Sequence, residues 1–125
     1  MGDDVTLRCP TCERVLGWRR LLSPVELEVA LNSYKRFAQT VMSLTPPPDF
    51  LDRRHRLKAH ILGVQAKSSG TIEVAGNPQA ASMIEALRVR LRCKHCAYER
   101  VVTGERFHAQ TLRAIELKLT SMSFD

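Results

Sequence analysis

The sequence predicts an α+β fold. Two segments alternate apolar and polar residues with the two-residue period of a β-strand, and each runs into a Cys-x-x-Cys pair, Cys9/Cys12 and Cys93/Cys96. The 80 residues between the pairs, 13–92, carry mostly helix signals instead. With 125 residues, 44% of them apolar and 26% charged, the chain can bury one core but not two well-developed ones, so 1–125 is expected to be a single domain.

In the first segment Val5, Leu7 and Cys9 alternate with Thr6 and Arg8, and Val15-Leu16-Gly17-Trp18 returns as a partner strand, a hairpin over residues 5–20. Ser23-Pro24-Val25-Glu26 then reads as a capping box with proline at the first helical position. A long helix follows, with Leu27, Leu31, Tyr34, Ala38, Val41 and Leu44 on one stripe and Phe37 beside it, until Pro46-Pro47-Pro48 ends it. Asp49 caps a second helix from Phe50 to about Gln65, marked by Phe50, Leu57, Ile61 and Val64 and stopping near Gly70. Thr71–Val74 forms a short strand, and Asn77-Pro78 opens a brief helix running to about Glu85, so residues 21–86 are a mainly helical insertion. In the second β segment Leu87, Val89, Leu91 and Cys93 alternate with Arg88, Arg90, Arg92 and Lys94, and residues 97–102 return, a hairpin over 87–103. The tail 104–125 fits a helix through Leu112, Ile115, Leu119 and Met122 or a strand through Ile115, Leu117 and Leu119; its length favours helix.

Two Cys-x-x-Cys pairs supply four thiolates, which together suit one tetrahedral ion, so Cys9, Cys12, Cys93 and Cys96 are the expected metal ligands. Zinc is the expected ion, and iron bound as in rubredoxin is the alternative that the same donors allow. Pairs set on hairpins in this way resemble a zinc ribbon, the two-knuckle superfamily, here split by a long insertion. The resemblance covers residues 5–20 and 87–103, and it implies two pseudo-symmetric β-hairpins closing on a structural ion. Glu13 and Ala97 stand where many knuckles have glycine, so each must avoid or tolerate a left-handed backbone. The long spacer is no obstacle. Stretching a loop from about 15 to about 80 residues costs only about 1.5 kcal/mol of closure entropy, against on the order of 10 kcal/mol from a structural zinc. Two disulfides, or a thioredoxin-like redox pair, are the rival readings of the same cysteines.

Charge points to the partner. Fourteen Arg and five Lys against 13 acidic residues leave a net charge of +6, which favours an anionic partner, and arginine suits phosphate and carboxylate contacts. Arg53, Arg54, Arg56 and Lys58, with His55 and His60 among them, form the densest positive cluster, on the second helix. Alternation places Arg88, Arg90 and Arg92 on the outer face of a strand at about 6–7 Å spacing, with Lys94 in the knuckle beyond. These eight basic residues are the candidate surface for RNA or DNA phosphates, or for carboxylates of other protein subunits.

Catalysis is not expected. A closed four-thiolate site has no position for water, and the chain has no phosphate-cradling glycine loop, nucleophile elbow or His-Glu-x-x-His motif. His95 is expected to face solvent or phosphate, because the cysteine pair around it is intact. The Met1-Gly2-Asp3-Asp4 start has neither a basic nor an apolar leader region, and no run is long enough to span a bilayer. The same start fits the permissive N-myristoylation pattern, against which its acidic residues and the strand at Val5 weigh. The resulting expectation is a non-catalytic zinc-binding accessory subunit of a ribonucleoprotein or nucleic-acid assembly in a reducing intracellular compartment. A protein-only structural adaptor, in a transcription or respiratory-chain type of complex, is the alternative, and a thiol redox protein the last.

Overall fold

A computed structural model describes residues 4–43, 50–76, 78, 84 and 86–124, with the side chains of 40–43 and 50–52 excepted. The elements run β1 (Asp4–Arg8), β2 (Val15–Arg20), α1 (Pro24–Ser43), α2 (Phe50–Leu62), β3 (Val64–Ala66), β4 (Gly70–Ala75), β5 (Arg88–Cys93), β6 (Glu99–Thr103), α3 (Gly104–Glu116) and β7 (Ser121–Met122). The α+β class is as predicted. Each cysteine pair lies at the turn of an antiparallel hairpin, β1–β2 for the first and β5–β6 for the second. The insertion supplies one strand to each hairpin: β4 realises the predicted Thr71–Val74 strand, whereas β3 stands where the second helix is predicted to end. β3 pairs antiparallel with β2 and β4 antiparallel with β5, while β7 joins β1 in parallel, giving sheet orders β3-β2-β1-β7 and β4-β5-β6.

The inner rows of these sheets make the main core. Val5 and Leu7 of β1 and Val89 and Leu91 of β5 are at most 1% exposed, and both rows end on a buried cysteine, Cys9 or Cys93. Period-two alternation therefore carries the apolar face directly to the sulfurs. Phe107 of α3 and Phe124 stack at 5.5 Å in the same core. The sheets meet where Gly70 passes β2: a Cβ on Gly70 would lie 2.8 Å from backbone atoms of Leu16. Gly70 is also the register partner of Cys93, so this close approach is what brings the second pair toward the first hairpin.

The helices follow the sequence signals with two corrections. The capping box forms: the Glu26 amide donates to Ser23 Oγ and the Ser23 amide to Glu26 Oε1, each at 3.2 Å. Ala30, Leu31 and Tyr34 of α1 pack with Ile61 of α2 in a separate small cluster. The second helix stops at Leu62, short of the predicted Gln65, because Gly63 takes φ +70° and its amide closes on His60 O. A Cβ on Gly63 would sit 1.9 Å from Arg20 O, so the chain reverses at Gly63 and Val64 enters β3 opposite Arg19. The tail is a helix and then a two-residue strand, and the helix buries Phe107, Thr111 and Ala114, whereas Leu112 of the predicted stripe is 45% exposed. The predicted helix after Pro78 and the triple proline lie outside the described residues. No helix among the described residues is long and apolar enough to cross a membrane.

Candidate metal centre

Each hairpin turns through its cysteine pair in a short knuckle closed by backbone hydrogen bonds, Cys9 N–H to Arg14 O at 2.9 Å and Cys93 N–H to Tyr98 O at 3.1 Å. The first knuckle needs one left-handed residue, and Glu13 adopts it at φ +63° despite carrying a side chain; Ala97 needs no positive φ. Amides then point at the sulfurs in the same pattern twice. Thr11 and Cys12 amides donate to Cys9 and the Arg14 amide to Cys12, while His95 and Cys96 amides donate to Cys93 and the Tyr98 amide to Cys96. Burial repeats as well, with the first sulfur of each pair buried and the second half-exposed.

All four sulfurs lie within 4.8 Å of one another. Cys9 Sγ is 3.4 Å from Cys96 Sγ and Cys12 Sγ 3.6 Å from Cys93 Sγ, so the close approaches cross between the hairpins. These distances are far beyond the roughly 2.05 Å of a disulfide, and the cysteines are free thiols. A tetrahedral ion with bonds of about 2.3 Å sets its sulfurs about 3.8 Å apart, close to what is seen. The group can therefore hold a metal ion.

Electrostatics favour a cation at its centre. Burial raises the Cys9 thiol, but the Cys12 and Thr11 amides and the Cys96 neighbour outweigh it and bring it down to about 7. At Cys96 the Tyr98 amide lowers the thiol, yet burial and the three facing sulfurs together push it up to about 12. Four thiolates cannot accumulate in one buried spot by themselves, and a divalent ion removes that repulsion. His95 is exposed and does not belong to the cluster.

A turn outside the sequence expectations also ties the hairpins together. The Lys67 amide donates to Leu16 O in β2, and Ser69 O accepts from the Lys94 amide in the second knuckle, each at 2.9 Å. Lys67 Nζ sits 5.0 Å over the Trp18 ring. Nothing in local composition marks residues 67–69 for this task, because both partners are distant in sequence.

The eight basic candidates divide. Arg54, Lys58, Arg88 and Arg90 line one cavity of about 540 Å³ between α2 and the outer face of β4–β5–β6. Arg92 and Lys94 line a separate depression beside Cys93 and Cys96. Arg56 is exposed on α2, and Arg53 packs its guanidinium 5.1 Å over the Phe37 ring. Two corrections apply. Lys58, expected on an exposed face, is only 4% exposed, because that side of α2 faces β4. The strand row is not purely basic: Arg90 Nε lies 3.3 Å from Glu99 Oε1 and Nη1 3.9 Å from Glu73 Oε2. The β4–β5 register sets Glu73 opposite Arg90, a pairing the single-strand alternation does not reveal.

Comparison of the chain with protein-family models, curated proteins and solved structures finds no significant match.

Proposed function

We propose that this chain is a non-catalytic accessory subunit of a ribonucleoprotein or other nucleic-acid assembly, in which a zinc ion held by Cys9, Cys12, Cys93 and Cys96 fixes two hairpins so that basic side chains meet phosphates. The observation that carries the reading is the repeated knuckle: the same amide pattern and the same burial occur twice around one sulfur cluster. Four sulfurs would complete zinc's tetrahedron and leave no coordination position for water, which makes the ion's role architectural. Thiolate donors suit zinc or iron, and zinc is the default ion of a closed four-thiolate structural site.

The phosphate half of the reading rests on the net charge of +6 and on the convergence of basic residues from α2 and β5. Two measurements test the two halves. Native mass spectrometry of protein purified without chelator is expected to show one zinc per chain. RNA affinity is expected to fall steeply with salt, and substitution of Arg88 and Arg92 by alanine to reduce the slope of log K against log salt by about one for each phosphate no longer neutralised. Metal-free folded protein, or no RNA binding at low salt, overturns the corresponding half.

A protein-only adaptor is the second reading, favoured by Leu112, Leu117 and Leu119, which are 45%, 56% and 51% exposed at the C-terminal end of α3 and just beyond it. It predicts retained protein partners and no salt-sensitive RNA binding.

A further inference from the structure

The cavity between α2 and the second sheet is built differently from a solvated basic surface. Among the described residues its lining sets four cationic side chains, Arg54, Lys58, Arg88 and Arg90, against one carboxylate, Glu73. They come from two elements far apart in sequence, so their convergence belongs to the fold and not to a local run of charge. At about 540 Å³ the cavity falls within the usual size of small-ligand sites.

Lys58 is the decisive residue. It is 4% exposed, it lines the cavity, and among the described residues no hydrogen-bond acceptor or carboxylate partners its ammonium group. Its surroundings are unfavourable to its charge: burial lowers its pKa, and the charge of Arg54 lowers it further. A lysine packed into the fold with a second cation beside it is unfavourable, and a facing anion offsets that cost. Arg90 is already held by Glu73 and Glu99, which orients its guanidinium at the cavity wall, while Arg88 projects into the cavity from an exposed position with no salt bridge of its own among the described residues. Arginine forks together with a point-charge lysine match the several acceptor oxygens of a tetrahedral oxyanion.

We propose that this cavity is a phosphate-binding site, with Lys58 as its buried anchor and Arg54, Arg88 and Arg90 around it. The site deepens the nucleic-acid reading, on which the identity of its natural ligand as an RNA phosphate rests. Binding of a free phosphate group does not depend on that reading.

The test uses the whole metal-loaded chain, its Lys58→Met and Arg88→Glu variants, and Arg113→Ala as a charge control on α3. The probes are inorganic phosphate against chloride at matched ionic strength, and one RNA 12-mer with either a 5′-phosphate or a 5′-hydroxyl. Phosphate is expected to raise the melting temperature of the wild type and of Arg113→Ala, and to leave that of Lys58→Met and Arg88→Glu unchanged. RNA affinity should drop about 10- to 100-fold in Lys58→Met, the size expected for removal of a charge-assisted hydrogen bond. Preference for the 5′-phosphorylated 12-mer identifies a chain end as the occupant, and equal affinity identifies an internal diester. Arg88→Glu keeps the test decisive if Lys58→Met does not fold. RNA binding that survives both substitutions with its salt dependence intact leaves the nucleic-acid reading standing and overturns the cavity. Phosphate stabilisation that both substitutions abolish, in a protein that binds no RNA, upholds the cavity and overturns the nucleic-acid reading. A wild type that responds to phosphate no more than to chloride overturns the proposal outright.

Discussion

The two ends of this molecule are held by different physics. At the cysteine end, two sheets share a broad core whose strands terminate on four clustered sulfurs. At the other end, α1 lies on α2 through a small cluster around Ala30, Leu31, Tyr34 and Ile61, while Val25 and Val29 remain 71% and 60% exposed. The first end combines a large buried cluster with a metal-competent donor set, and the second rests on a much smaller buried cluster. Loss of the proposed ion should therefore loosen the sheets first, and loss of packing should free the helix first, and each can be broken separately.

The largest effect belongs to the sulfurs. Cys93→Ser, or a strong chelator, is expected to release the proposed zinc and unfold both hairpins together, since a structural zinc contributes on the order of 10 kcal/mol. Metal content and the far-UV signal of the sheets should fall in parallel. Acidification should act in the same direction: the ligands bind as thiolates, so protons compete with the metal and retention weakens as pH falls. Zinc titration in weakly buffered solution should accordingly release protons.

Next in size is the junction between the two ends. Arg19 is 3% exposed, and its guanidinium donates to Leu62 O at 2.9 Å and Thr111 Oγ1 at 2.8 Å, contacts His108 Nδ1 at 3.2 Å and lies over the Phe107 ring. Burial lowers its pKa to about 10, so the group stays charged at neutral pH in a site without a carboxylate partner among the described residues. Arg19→Ala is expected to cost about 2–4 kcal/mol, through poorer packing and an orphaned Leu62 carbonyl. Arg19→Met keeps the stem and removes the buried charge, so its urea midpoint should fall less.

Tyr34→Ala should sharpen the contrast. It removes a large part of the small helical cluster, at about 2–3 kcal/mol, and hydrogen exchange should quicken in α1 while metal content stays constant. The smallest effect is at the helix start. The Ser23 amide and the Arg20 guanidinium hold the exposed Glu26 carboxyl below its ordinary pKa. That contribution is present above the unfolded carboxylate pKa and disappears as pH falls through the folded value. Glu26→Gln should melt slightly earlier than wild type at neutral pH, and the two should converge in acid.

Much of this architecture is legible in the sequence because its signals are local. The cysteine pairs, the alternation of Val5/Leu7/Cys9 and Val89/Leu91/Cys93, and the Ser23–Glu26 box each specify structure within a few residues, and all are realised. What could not be read depends on who the neighbours are. β3 is only three residues long and exists because Gly63 reverses the chain beside Arg20. The burial of Lys58 and the partial neutralisation of Arg90 follow from β4 lying beside both α2 and β5. In α3 the exposed Leu112 shows the same limit, since the buried face is the one carrying Phe107, Thr111 and Ala114, where Thr111 accepts from the buried Arg19.

The turn at residues 67–69 has a consequence for biogenesis. At about 5–20 residues per second, Cys12 emerges from the ribosome roughly 4–16 s before Cys93. During that interval the nascent chain holds half of the sulfur cluster, while the β2 partners β3 and the Lys67 amide are already synthesised. Ser69 then presents a carbonyl to Lys94 as the second knuckle arrives. The turn is thus placed as a jig between the early hairpin and the late one, because it bonds to both.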